Sequence, residues 1–205
     1  LKGNLLESFD LDFSLLTWLD LSRNNLEDVP RACRASLEKL FVDQNRISTL
    51  ETIESFQHLQ VLSATENAIE AVPKHPEHLV ELKLDGNRLN FLDFQCPLRA
   101  LRHLSVSRNR LESLQGLETS QFLLSLDASR NTLSKVREVT DFLPENIKHL
   151  RLVDNPCTGL VHYRPRVILR LLSLHTLDSI LVSSNEKVDA VNLAGGPGSE
   201  LQQRI

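Results

Sequence analysis

The sequence of 205 residues contains no methionine, one tryptophan, one tyrosine, three cysteines and seven glycines. Cys33, Cys96 and Cys157 are far apart and form no Cys-x-x-Cys pair, which makes both a disulfide framework and a zinc site poor readings. No apolar run reaches about 18 residues, so no transmembrane helix is expected. The start, Leu1-Lys2-Gly3-Asn4, is not a signal segment, and no Asn-x-Ser/Thr sequon occurs despite plentiful asparagine. The poor disulfide framework and the missing sequons favour an intracellular, cytoplasmic chain. The lack of any methionine points to a processed or excised piece of a longer polypeptide. A formal net charge of −4 argues against a basic nucleic-acid binder and against a polybasic membrane anchor.

Catalytic patterns are missing too. There is no G-x-S-x-G, no H-E-x-x-H and no phosphate-cradling G-x-x-x-x-G-K-[ST]. The Gly195-Gly196-Pro197-Gly198 stretch follows no strand and opens no helix. His75 and His78 have a metal-compatible spacing but no cysteine near them. No metal, no cofactor and no enzymatic activity are expected. Cys96 precedes Pro97 in a return segment and reads as packing.

What the chain has in excess is leucine, 41 of 205 residues. With aromatics at only 5%, the core is expected to consist of many equivalent aliphatic layers. The template L-x-x-L-x-L-x-x-N-x-L recurs in register. It fits Leu16, Leu19, Leu21, Asn24 and Leu26, then Leu37, Leu40, Val42, Asn45 and Ile47. Five further copies place Asn67, Asn87, Asn109, Asn131 and Asn155 in the same slot. In the last copy Cys157 takes the final apolar position and reads as a core thiol.

The spacing has a physical reading. Side chains alternate along a strand, so the leucines of L-x-L point the same way, into a core. The asparagine ends the strand. Its amide both donates and accepts, and it can satisfy backbone groups that the turn leaves unpaired inside the coil. Aspartate could not donate, and leucine could do neither. After Asn45 the apolar residues Ile47, Leu50, Ile53, Phe56 and Leu59 recur every three positions; Leu111, Leu114 and Leu117 do the same after Asn109. That period predicts 3₁₀ turns or tight short helices in the returns. Val29-Pro30 and Val72-Pro73 fall in such returns, where Pro is tolerated.

This pattern resembles the leucine-rich repeat family. The fold the resemblance implies is α/β: a curved right-handed solenoid with a parallel sheet on its concave side, short 3₁₀ or helical returns on the convex side, and a helical C-terminal cap. The repeat domain is expected over 1–182, about seven full repeats after a partial first one, and 183–205 is expected to be a C-terminal extension or linker. At the start only Leu1, Asn4 and Leu6 match. A polar cover is therefore expected, from Leu5 to Leu16 or from an upstream segment of a longer native chain. The stretch 156–182, with Tyr163-Arg164, Val167-Ile168, Leu171, Leu174 and Leu177-Asp178, resembles the cap of intracellular leucine-rich repeat proteins, although Ser173 stands where Pro is usual. That group includes a regulatory subunit of protein phosphatase 1, a spliceosomal A-prime protein, and axonemal and centrosomal proteins. A cap helix is expected from about Pro165 to Leu172, and a further helix, capped by Ser184, to about Leu193.

Outward positions of the strands are expected to form the working surface. Trp18, Phe41 and Val61 are read as one exposed apolar patch, and exposed aromatics in a concavity are typical binding anchors. Lys39 and Lys83 lie on the same face. His103, Arg108, Arg130, His149 and Arg151 predict a locally basic far end, interrupted by Asp127 and Asp154: a place for an acidic peptide or a mixed solvated face. No aromatic interleaves with these bases, so direct nucleic-acid stacking is unsupported. The expected function is a noncatalytic scaffold gripping a helix or extended segment of another protein, as a module of a cytoskeletal or ciliary/centrosomal protein. A phosphatase regulatory subunit and a ribonucleoprotein assembly component are the alternatives.

Overall fold

The computed structural model describes residues 1–9, 15–30, 34–72, 78–94 and 99–195. Cys33, Pro73, His75, Cys96 and Gly196-Pro197-Gly198, named above, lie outside these residues, as does the middle of the Leu5–Leu16 segment.

Seven short strands occupy the predicted slots: β1 (Trp18–Asp20), β2 (Lys39–Phe41), β3 (Val61–Ser63), β4 (Glu81–Lys83), β5 (His103–Ser105), β6 (Ser125–Asp127) and β7 (His149–Arg151). They pair in parallel and in sequence order, followed by β8 (Thr176–Leu177) and then β9 (Ile180–Leu181), which returns antiparallel. Leu19, Leu40, Leu62, Leu82, Leu104, Leu126, Leu150 and Leu177 stand in one register across the sheet. Each is buried, as is the leucine, valine or alanine two residues after it in β1 to β7. Burying one leucine side chain is worth about 1.5–3 kcal/mol. Each turn alone has few such residues, so stability comes from stacking turns.

The asparagines line the interior turns. Oδ1 of each accepts the backbone N–H of the residue two positions beyond the preceding asparagine: Leu26 on Asn45, Ile47 on Asn67, Ile69 on Asn87, Leu89 on Asn109, Leu111 on Asn131 and Leu133 on Asn155, at 3.0–3.1 Å. Nδ2 donates in two directions. In Asn109 it reaches the Val106 carbonyl of its own turn at 3.0 Å and the Leu84 carbonyl of the turn before at 2.9 Å. Five of the seven, Asn24, Asn87, Asn109, Asn131 and Asn155, are buried, and Asn45 and Asn67 are partly so.

The residue before each asparagine pays for that geometry in backbone conformation. Arg23, Gln44, Glu66, Arg108, Arg130 and Asp154 all have φ between 52° and 61°, and Gly86 has φ 66°. Such left-handed residues are uncommon outside glycine. The repeated inward turn of the asparagine holds them there.

The returns vary. The Ile47–Leu59 return contains the expected 3₁₀ helix, Glu51–Ser55, with Ile53 buried. The Leu111–Leu117 return takes the other expected form, single 3₁₀-type turns without a continuous helix, the Leu117 N–H bonding the Leu114 carbonyl at 3.3 Å and the Ser120 N–H that of Leu117 at 2.9 Å. Gly116 explains this, at φ 103° and so close to Leu92 that an added Cβ would lie 1.9 Å from its carbonyl oxygen. The later returns carry α1 (Arg137–Thr140) and a 3₁₀ helix at Pro156–Gly159 that buries Cys157. Burial is the main reason the Cys157 thiol is pushed up to about 11, which keeps it protonated and unreactive.

At the C-terminal end, α2 spans Tyr163–Arg170, two residues earlier than expected at both ends. His162, at φ 57°, turns the chain into the helix. Tyr163, Val167 and Ile168 are buried against the last turn. The final rung of the ladder is an aspartate: Asp178 Oδ1 accepts the Leu152 N–H at 2.7 Å, and its Oδ2 accepts the Tyr163 hydroxyl at 2.9 Å. The part of 183–205 that is described continues the fold. Helix α3 (Ser184–Gly195) packs on α2, buries Ala190 and is tied by Arg164 to Glu186 at 2.7 Å. Its cap is Ser183, not Ser184: Ser183 Oγ accepts the Glu186 N–H and Glu186 accepts the Ser183 N–H, a capping box.

Candidate functional site: the concave face

Because strand side chains alternate, each three-residue strand presents two side chains on the concave face. The first positions form a row of Trp18, Lys39, Val61, Glu81, His103, Ser125, His149 and Thr176. The second row runs Asp20, Phe41, Ser63, Lys83, Ser105, Asp127 and Arg151.

The aromatic residues meet at the β1 end. Trp18 is 54% exposed, and its ring lies 5.9 Å from that of Phe41, tilted by 49°. Phe41 stands in the second row, diagonal to both Trp18 and Val61. Lys39 separates those two in the first row and makes no ion pair among the described residues. The patch is therefore centred on Phe41 and edged by an ammonium group.

Further along, the face is polar and internally satisfied. Asp43 Oδ1 accepts the Ser63 hydroxyl at 2.6 Å and the Thr65 N–H at 2.7 Å. One repeat pair later Asp85 does the same with Ser105 and Ser107, at 2.6 and 2.8 Å. Asp20 and Asp127 each accept the N–H of the serine two residues on. Burial pushes the Asp20 carboxyl up, but the bonds from Ser22 and the Lys2 charge outweigh it and hold it below the usual range. The period of 42 residues between Asp43 and Asp85 was the available signal for these clamps.

At the far end the bases are paired, and Asp127 and Asp154, the interrupting carboxylates, are two of the partners. Arg151 pairs with Asp127 at 3.5 Å, Arg130 with Asp154 at 3.1 Å and Arg108 with Glu66 at 3.8 Å, while Lys83 pairs with Glu81 at 2.6 Å. His149 Nδ1 bonds the Thr176 hydroxyl at 2.9 Å, and its ring meets that of His175 edge-on at 6.0 Å. Parallel register sets carboxylates of adjacent turns beside these bases, which composition alone does not reveal. Nor are Arg108 and Arg130 on strands. As the left-handed residues before Asn109 and Asn131, they sit at the turn where the strands end. A shallow groove of about 430 Å³ lies there, lined by Glu66, Gly86, Ser107, Arg108, Arg130 and Asp154 among others. A second of similar size crosses mid-face over Glu81, Lys83, His103, Ser105 and Asp127.

Among the described residues no three His, Cys, Asp or Glu side chains gather as a metal site, and His78 is exposed. No helix of the described residues is long and apolar enough to cross a membrane. The face offers shape, rings and paired charges, the means of recognition.

The leucine-rich repeat model matches residues 15–34. This is a leucine-rich repeat chain. It is 33% identical over 144 residues to human leucine-rich repeat-containing protein 43, covering 64% of this chain and 22% of that protein. It is 30% identical over 143 residues to the U2 small nuclear ribonucleoprotein A′ of Candida glabrata, covering 67% and 46%. Its fold superposes on the functional domain of InlJ from Listeria monocytogenes with a TM-score of 0.69 at 19% identity, over 91% of this chain and 41% of that one. The chain spans less than half the length of the curated relatives it matches. These similarities give the repeat and the fold.

Proposed function

We propose that this leucine-rich repeat chain is a noncatalytic scaffold that grips a segment of a partner protein on its concave face, with Trp18 and Phe41 as anchors. The observation that supports this most is the Trp18–Phe41 pair: the chain's only tryptophan lies half open on the sheet, against a second ring and beside the Lys39 ammonium, which has no ion-pair partner among the described residues. A preformed sheet presents these groups without the entropy cost of ordering loops. Val61, Lys83, His103, His149 and Arg151 line the same channel, with Arg108 and Arg130 at its rim. The internal pairing of Lys83, Arg108, Arg130, His149 and Arg151 gives register and specificity more than affinity. The setting we favour is cytoplasmic, within a larger cytoskeletal or ciliary/centrosomal protein, on the resemblance of 156–182 to the cap of such proteins.

The likeness to a U2 ribonucleoprotein A′ supports a second reading, assembly of a ribonucleoprotein through protein contacts. The test uses a partner recovered from cell extract. Trp18→Ala and Phe41→Ala are each expected to weaken binding by about 2 kcal/mol, the scale of an interface hot spot. Losses of both below about 0.5 kcal/mol, the range of an ordinary surface change, would end the anchor reading. Release of the companions by RNase would favour the ribonucleoprotein setting. Copurification of a phosphatase, weakened by Lys83→Glu or Arg130→Glu, would favour a phosphatase regulator.

A further inference from the structure

The residues on either side of each ladder asparagine face outward at the strand-end turn, and they divide charge unevenly. The row before the asparagines reads Arg23, Gln44, Glu66, Gly86, Arg108, Arg130 and Asp154; the row after reads Asn25, Arg46, Ala68, Arg88, Arg110, Thr132 and Pro156. Together they hold six arginines and two carboxylates, in a chain whose net charge is −4. Glu66 and Asp154 are both engaged, with Arg108 and Arg130. Arg46, Arg88 and Arg110 are exposed and make no ion pair among the described residues. Glu27, Glu70 and Glu112 lie two positions further on in their turns and are not ion-paired to these arginines.

The backbone fixes the spacing. The N–H of Arg46 bonds the Leu26 carbonyl at 2.8 Å, that of Arg88 bonds Ile69 at 2.9 Å and that of Arg110 bonds Leu89 at 2.9 Å. The row is therefore as regular as the sheet, with neighbouring turns about 4.8 Å apart. Arg88 and Arg110 stand on adjacent turns, close enough for two guanidinium forks to engage one carboxylate or two successive ones. Arg108 follows the same turn on the other side of Asn109.

We propose that this arginine flank, centred on Arg88 and Arg110, docks an acidic peptide segment. Three observations favour a peptide over nucleic acid. Neither row contains an aromatic residue on which a base would stack. The chain as a whole is anionic and repels a long polyanion. The free arginines cover a short run of turns, suited to a few carboxylates. The flank is separate from the Trp18–Phe41 patch, so the two readings stand or fall apart.

The probe is a dye-labelled peptide of alternating glutamate and glycine, about ten residues long, titrated by anisotropy at about 50 mM and about 300 mM salt. Saturable binding is expected at low salt and weakens at high salt. Arg88→Glu/Arg110→Glu is expected to weaken it about tenfold or more, and Arg88→Ala/Arg110→Ala less. The charge-matched control Arg102→Glu/Arg137→Glu, on other faces, is expected to bind within about twofold of wild type. Circular dichroism verifies the fold of each variant; if the glutamate pair unfolds, the alanine pair decides. Absence of saturable binding overturns the proposal. So does an equal loss in the control pair, or tighter binding of a single-stranded oligonucleotide of the same charge.

Discussion

The two ends of the solenoid handle the same ladder differently. At the β1 end Asn4 holds the ladder slot, yet its Nδ2 donates only to Leu1 and Lys2 of its own segment, and Leu1, Leu5, Leu15 and Trp18 are exposed. At the far end the slot belongs to Asp178, the sheet folds back through β9, and α2 and α3 lie behind it. An interior rung must donate to two turns and accept from a third group, which only an amide does. A final rung needs only to accept. Asp178 therefore suffices, and its second oxygen fastens the cap through Tyr163.

The sharpest way to break this contrast is to remove one rung at a time. Asn109→Ala leaves the Leu89 N–H and the carbonyls of Leu84 and Val106 short of a partner inside the coil. The expected cost is about 3 kcal/mol in urea unfolding, since each orphaned buried group costs about 1–3 kcal/mol. Asn4→Ala is expected to change stability by less than about 0.5 kcal/mol. Equal losses at the two sites would erase the distinction.

The next test concerns the last rung. Asp178→Asn keeps an acceptor for Leu152 but turns the Tyr163 hydroxyl from donor to a carboxylate into acceptor from a neutral amide, losing the charge-assisted bond. Tyr163→Phe removes the hydroxyl instead. Each is expected to cost about 1–2 kcal/mol, and the double variant less than the sum, because both break one contact. Additive losses would show that the two residues act separately.

The smallest effect is electrostatic and confined to the C-terminal end. Hydrogen bonds from Arg164 and from the Ser183 N–H hold the Glu186 carboxyl down at about 2, against 4.5 for the free group. A lowered folded-state value adds stability above pH 4.5 that fades as the pH falls towards 2. Protease cleavage within α3 is therefore expected to rise over that window while the strands stay folded. Glu186→Gln should show the higher cleavage already at neutral pH and lose the acid dependence. A wild-type cleavage rate that is flat across the window would mean that Glu186 does not hold α3.

The repeat was legible because its signal is redundant: seven asparagines and their leucines fix strand positions, register and the inward face at once. The Trp18–Phe41 patch was legible for the same reason, since alternation along a known strand gives the outward positions. The ion pairs of Arg108, Arg130 and Arg151 were legible only in part: Asp127 and Asp154 stood out as interruptions of the basic end, but which base each faces, and that Glu66 reaches Arg108, depends on what the adjacent turn brings alongside. Asp178 escaped as a rung because it lacks the amide by which rungs are recognised. The limits of α2 and the cap of α3 turned on single backbone angles and on a choice between Ser183 and Ser184, which no periodicity encodes. Arg46, Arg88 and Arg110 lie outside the strands, at the turn beside the asparagines, where strand alternation does not mark them.

Native-state hydrogen exchange of the amides of Leu26, Ile47, Ile69, Leu89, Leu111, Leu133 and Leu152 probes the ladder most directly. Each is bonded to a ladder side chain and to no regular strand partner. They are expected to be strongly protected as a set, with Leu89 losing protection first in Asn109→Ala. Exchange of this set as fast as that of an exposed turn amide such as Glu112 would mean the asparagines do not hold the coil together.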